Sequence, residues 1–190
     1  MVFSAMVENE LEKDVAYVLF TEEQIKARVK EIADQINEEY AGKNPLILGI
    51  LKGVYPFYAD LMRGLIIHAE TDFLVASSYG NGTVSTGVLK IKKDTEIDLK
   101  GRHVIIVEDI IDSGNTLYLL KNELLKREPA SLKIATLLNK TARRERPIDG
   151  DYIGFDCCDE FVVGYGLDYA GKYRNLPYVG VLKEKVYKLN

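Results

Sequence analysis

Two cysteines, two histidines and no surplus of positive charge set the first limits on this chain of 190 residues. Cys157 and Cys158 are adjacent, a spacing that suits neither a structural disulfide nor a metal site, and they read as reduced, partly buried thiols. Lys and Arg number 25 against 29 Asp and Glu, a net charge of −4, so no global basic field argues for a nucleic-acid partner. No apolar run approaches the length of a membrane span, and Met1 to Glu12 is too acidic for a secretion signal, so a cytoplasmic protein is expected. Without such a signal, the acceptor patterns Asn81-Gly82-Thr83 and Asn139-Lys140-Thr141 carry no weight. No G-x-G-x-x-G follows a candidate strand, which disfavours a dinucleotide fold. Gly166 to Tyr173 nearly spells a P-loop, but Tyr173 stands where Ser or Thr must ligate Mg²⁺.

What is there centres on residues 103–116. His103 to Val107 is a short apolar, β-branched run, as expected of a strand buried on both faces of a parallel sheet. Glu108 and Asp109 follow as an acidic tip, then Asp112 and a small-residue turn around Gly114. Leu117, Leu120, Leu124 and Leu125 begin a helical period. The N–H groups of residues 112–116 would face outward at a helix start, where a phosphate is favoured, with Ser113 and Thr116 adding hydroxyls. Three carboxylates so close need partners such as sugar hydroxyls, a divalent cation or a proton to be removed. Together they point to a phosphorylated sugar bound with Mg²⁺.

The rest of the chain reads as alternating strands and helices. Val15 to Phe20 suggests a strand or ordered arm, and Thr21 with Gln24 a capping box opening a helix with Ile25, Val29, Ile32, Ile36 and Tyr40 on one face, stopped at Gly42. Leu46 to Leu51 is a second strand, and Pro56 starts a helix ending near Gly64. Lys52-Gly53 therefore lies between a strand end and a helix start, a position that suits a second anion as well as an ordinary turn. A third strand, residues 71–75, leads into an uncharged loop of glycine and hydroxyl residues from Ser77 to Gly87, long enough for a mobile lid. Val88 to Lys92 alternates apolar and basic residues like an exposed antiparallel arm. A helix from about Thr116 stops before Pro129, and Leu132 to Leu138 forms a strand ending at Lys140. Arg143, Arg144 and Arg146 read as a solvated turn, and 153–157, 161–166 and 178–182 as short strands.

With these pieces in order, Val104 to Thr116 resembles the signature of type I phosphoribosyltransferases, which bind 5-phosphoribosyl-1-pyrophosphate. Leu51-Lys52-Gly53-Val54-Tyr55, Ser78-Tyr79, Leu138-Asn139-Lys140, and Phe161 to Tyr169 with Arg174 narrow the resemblance to the 6-oxopurine branch, the hypoxanthine-guanine phosphoribosyltransferases. It spans roughly residues 15–185. The resemblance implies that Glu108 and Asp109 meet the ribose hydroxyls, directly or through Mg²⁺, and that Asp112, Ser113, Gly114, Asn115 and Thr116 cradle the 5′-phosphate. Asp112 would be the general base near the purine N7. Lys52, Gly53 and Arg174 would bind pyrophosphate, with a cis peptide between Leu51 and Lys52. Lys140 would donate to the purine O6, Phe161 would stack on the ring, Val162 would meet the exocyclic edge, and Asp168 would carry a second Mg²⁺. Ser78 and Tyr79 would belong to the lid. Some relatives carry a basic residue where this chain has Ser77, and His68 and His103 match no family role.

The expected architecture is one α/β domain: a central parallel β-sheet flanked by helices, with a small hood from about 1–20 and 150–190 and a lid at about 77–92. The implied reaction is salvage of hypoxanthine and/or guanine, in a homodimer or homotetramer. A regulator sensing the same phosphoribosyl donor would show a basic face and dispense with the purine-site residues; this chain has net −4 and keeps Lys140, Phe161 and Asp168. An enzyme of the same fold acting on adenine, orotate or uracil is disfavoured by Lys140 and Phe161.

Overall fold

The computed structural model describes residues 10–79 and 88–188. A six-stranded sheet runs in the order β4-β3-β2-β5-β6-β7, formed by Val88–Lys93 (β4), Glu70–Tyr79 (β3), Leu46–Ile50 (β2), His103–Ile111 (β5), Ser131–Asn139 (β6) and Tyr152–Asp156 (β7). All neighbours pair in parallel except β3 with β4. The sheet is therefore mixed, with the expected antiparallel arm at one edge. β5 sits centrally because its apolar run can be buried on both sides. Val104 and Ile106 pack into one cluster with Leu117, Leu120 and Leu124, while Ile105 and Val107 pack into the other with Ile25, Ile36 and Phe57. Each such side chain contributes about 1.5–3 kcal/mol by leaving water.

Helix α1 (Glu22–Glu39) opens with the expected capping box: Gln24 N donates to Thr21 Oγ1 and Thr21 N to Gln24 Oε1. Its buried stripe is Ile25, Val29, Ile32, Ala33 and Ile36. Helix α2 (Tyr55–Gly64) carries Pro56 in its first turn, and α3 (Asn115–Leu125) follows β5. A second sheet, all antiparallel, joins Val15–Phe20 (β1), Val179–Leu182 (β9) and Val162–Val163 (β8) in the order β1-β9-β8. This is the hood, followed by the short helix α4 (Glu184–Tyr187).

Two boundaries differ from expectation. β7 pairs with β6 in the large sheet, so the chain enters the hood after Asp156 rather than at 150. Ser77 to Tyr79 continue β3 and pair with β4, because the hydroxyl residues there still alternate across a ladder. The lid expected at 77–92 thus has strand at both ends, while its Gly80 to Gly87 part lies outside the described residues, as do residues 1–9 of the hood.

Candidate active site

The carboxyl ends of β2, β5 and β6 lie side by side, and the chain leaves β2 toward β3 but β5 toward β6 on the opposite side. That divergence opens the crevice where open α/β sheets bind ligands. It brings Gly53, after β2, against the end of β5. A Cβ on Gly53 would lie 1.6 Å from Asp109 Oδ2 and 3.3 Å from Arg174 Nη1. Only a residue without a side chain permits this approach. The Leu51–Lys52 peptide is cis, and Lys52 is exposed. On the hood side, a Cβ on Gly166 (φ +97°) would lie 1.9 Å from the Gly53 carbonyl oxygen, so the hood loop rests directly on the β2 loop.

Glu108 and Asp109 lie inside β5, which runs on to Ile111, rather than at its tip. Burial and the neighbouring Asp109 hold the Glu108 carboxyl well above its usual range. Burial pushes Asp109 up to about 6, against the Ile110 N–H and the Arg174 charge, which pull it down. Glu108 Oε2 and Asp112 Oδ1 are buried with no hydrogen-bond partner among the described residues. Such atoms cost free energy unless something occupies the site. After the strand, the turn 112–114 ends at Gly114 (φ +77°), and α3 begins at Asn115. Glu108 and residues 110–117 line a cavity of about 150 Å³ there.

A second cavity, of about 290 Å³, shares Ile110 and Asp112 with the first and is also lined by Asp109, Lys140, Phe161, Val162 and Asp168. Lys140 follows β6 with its side chain only 5% exposed; its Nζ donates to the Glu160 carbonyl at 3.0 Å and lies 3.3 Å from Asp159 Oδ1. Phe161 packs face to face on Tyr187 (centroids 5.0 Å apart) and edge to face on Tyr169. Asp168 pairs with Arg174 at 2.6 Å and accepts from Gly171 N, while Arg174 also donates to the Gly166 carbonyl. At the root of the arm, Ser78 Oγ lies 2.9 Å from Thr116 Oγ1.

Of the expected site residues, Glu108, Asp109, residues 112–116, Lys140, Phe161, Val162 and Asp168 line these two cavities. Gly53 approaches Asp109, Arg174 pairs with Asp168, Ser78 reaches Thr116, and Lys52 lines neither cavity. The Asn115 amide turns outward to Glu145 and Arg146. The side chain of Tyr79 lies outside the described residues. The solvated-turn reading of Arg143, Arg144 and Arg146 is corrected at Arg144, which is drawn inward, 14% exposed, onto the carbonyls of Ile111 and Asp112. Sequence reasoning missed it because three arginines after a strand look alike until strand register selects one. His103, which matches no family role, places its Nδ1 2.7 Å from Ser131 Oγ.

Among the described residues, no cluster of three or more His, Cys, Asp and Glu could hold a metal alone. Hard carboxylate oxygens, one of them orphaned, fit a Mg²⁺ that completes its shell with substrate oxygens and water. Among those residues also, no helix is long and apolar enough to cross a membrane.

A strand carrying paired carboxylates, a turn at a helix start and a crevice beneath a hood define a phosphoribosyltransferase, and residues 19–170 match the family model described as a phosphoribosyl transferase domain. The chain is 51% identical over 177 residues to the hypoxanthine-guanine phosphoribosyltransferase of Streptococcus thermophilus, covering 93% of this chain and 98% of that protein. It is 52% identical over 177 residues to that of Streptococcus pneumoniae, with the same coverage. A crystal structure of a hypoxanthine phosphoribosyltransferase from Staphylococcus aureus superposes with a TM-score of 0.93 at 43% identity, covering 96% of this chain and all of that one. The chain belongs to the hypoxanthine-guanine phosphoribosyltransferase family.

Proposed function

We propose that this protein transfers the 5-phosphoribosyl group from phosphoribosyl pyrophosphate to hypoxanthine and/or guanine, releasing pyrophosphate and a nucleoside 5′-monophosphate in purine salvage. One observation carries the reading. Two adjoining cavities that share Ile110 and Asp112 set the orphaned carboxylates of Glu108 and Asp112 beside a buried ammonium, Lys140, and an aromatic face, Phe161. Such a pair suits a sugar phosphate in one and a flat oxo-base in the other.

Glu108 and Asp109 take the ribose hydroxyls, and the turn from Asp112 to Thr116 takes the 5′-phosphate at the start of α3. Lys52, Gly53 and Arg174 hold the pyrophosphate. Phe161, backed by Tyr187, stacks on the base, and the Val162 backbone meets its exocyclic edge. Lys140 explains base choice. An ammonium has three donors; Glu160 and Asp159 engage two, leaving one for the purine O6. Adenine would present an amino group there, donor against donor, and leave that third N–H buried without an acceptor. Asp112 Oδ1, without a partner, accepts the proton from N7 as the base attacks. Glu108 and Asp109 would hold one Mg²⁺ and Asp168 a second, which would supply charge neutralisation for the departing pyrophosphate. Carbon–oxygen cleavage develops positive charge on the sugar, so the hood and the Ser78–Tyr79 arm serve to keep water out.

We read the chain as one cytoplasmic domain with its hood, assembling as a homodimer or homotetramer and engaging small molecules rather than nucleic acid or membrane. The test is incubation with Mg²⁺, phosphoribosyl pyrophosphate and each of hypoxanthine, guanine, xanthine and adenine. Nucleotide is expected from hypoxanthine or guanine and not from adenine. Product from no 6-oxopurine overturns the reading.

A further inference from the structure

The turn after β5 is fastened from behind by one short segment. Lys140 N donates to the Ile111 carbonyl at 2.9 Å and Glu145 N to the Ser113 carbonyl at 2.9 Å. Between them the Arg144 guanidinium spans two carbonyls, with Nε 3.0 Å from Asp112 O and Nη2 3.3 Å from Ile111 O. The same guanidinium is tied to the end of β6 through Asn139 Oδ1 at 2.6 Å and to the Ile148 carbonyl. The turn lies hard against this side chain, since a Cβ on Gly114 would meet Arg144 Cδ at 3.2 Å and Ile148 Cγ2 at 2.6 Å.

Three consecutive carbonyls, of Ile111, Asp112 and Ser113, therefore face residues 140–145. Their peptide bonds are trans, and across a planar trans peptide the following N–H points the opposite way. The N–H groups of Asp112, Ser113 and Gly114 thus face away from that segment, and no acceptor among the described residues takes them. They border the 150 Å³ cavity at the start of α3. Three free donors converging beside a helix N-terminus form an anion cradle, and its direction is set from the carbonyl side.

We propose that Arg144 is a positioning residue for the phosphate site: by gripping the carbonyls behind the turn it holds three N–H donors toward the 5′-phosphate. The proposal rests on the reading of this turn as the 5′-phosphate site. Arginine suits the task because its planar fork meets three backbone carbonyls and a side-chain amide at once, one acceptor more than an ammonium has N–H groups.

Arg144→Gln and Arg144→Lys test it by calorimetric titration with ribose 5-phosphate and, separately, with Mg²⁺–pyrophosphate, alongside melting curves and steady-state kinetics. Ribose 5-phosphate affinity is expected to fall about tenfold or more in Arg144→Gln, with pyrophosphate affinity within about twofold of the parent. The KM for phosphoribosyl pyrophosphate should rise more than that for the base. Arg144→Lys should show the same selectivity and carries the test alone if the Gln variant does not fold. Equal loss of both ligands, or an unchanged ribose 5-phosphate affinity, overturns the proposal. If the parent protein makes no nucleotide yet its ribose 5-phosphate binding depends on Arg144, the functional reading fails and the positioning role stands.

Discussion

Asp112 and Cys157 lie near the same crevice yet differ in chemical prospect. Asp112 offers an oxygen with no partner among the described residues, so Asp112→Asn, which keeps the shape and removes the basicity, should lower kcat by about 10²–10⁴-fold. The KM for phosphoribosyl pyrophosphate should stay within a few-fold, and stopped-assay kinetics would separate the two; equal loss in both would make Asp112 a binding group. Cys157 is buried, and burial together with the adjacent Cys158 pushes its thiol up to about 11. At pH 8 only roughly one Cys157 in a thousand is thiolate, so iodoacetamide should add a single label, on exposed Cys158. Mass spectrometry should find the second label only after denaturation; native labelling of Cys157 would contradict its burial. At this scale the sequence was most legible where residue type dictates chemistry, as at Glu108, Asp109 and Lys140. Arg144 was not, because its worth depends on which carbonyls it reaches.

Elements follow from pattern more readily than from their ends. The capping box at Thr21, the stripe of α1 and the stop at Gly42 were legible because each is local chemistry. β5 was legible from its apolar run, but its extension through Glu108 to Ile111 was not, since pairing with β6 as far as Asn139 overrides the local preference of acids for a turn. The turn after β2 tolerates little change. Gly53→Ala would drive a methyl into Asp109 Oδ2, and a displacement near 1 Å at a reacting centre costs on the order of 10²-fold in rate. The expected result is a folded protein, by melting curve, with kcat/KM reduced about 100-fold. Activity within a few-fold of the parent would show that the close approach is dispensable.

For the whole molecule, the layered core could be read from alternating apolar strands and amphipathic helices, whereas the hood could not be delimited. Its sheet joins β1 to β9, and β9 to β8, through pairings that no local signal announces. β7 looked like part of that region until it joined the large sheet, extending the main ladder by one parallel strand. The two-sheet arrangement leaves the hood touching the core through bare backbone at Gly166 and Gly53, with Asp109 directly beyond. That row of contacts has no slack. A base that shifts the hood loop alters the room beside Asp109, and a leaving group that shifts the Gly53 loop alters the seat of the base. The two halves of the reaction then share one coupling free energy, and linkage requires each ligand to change the affinity of the other by the same factor.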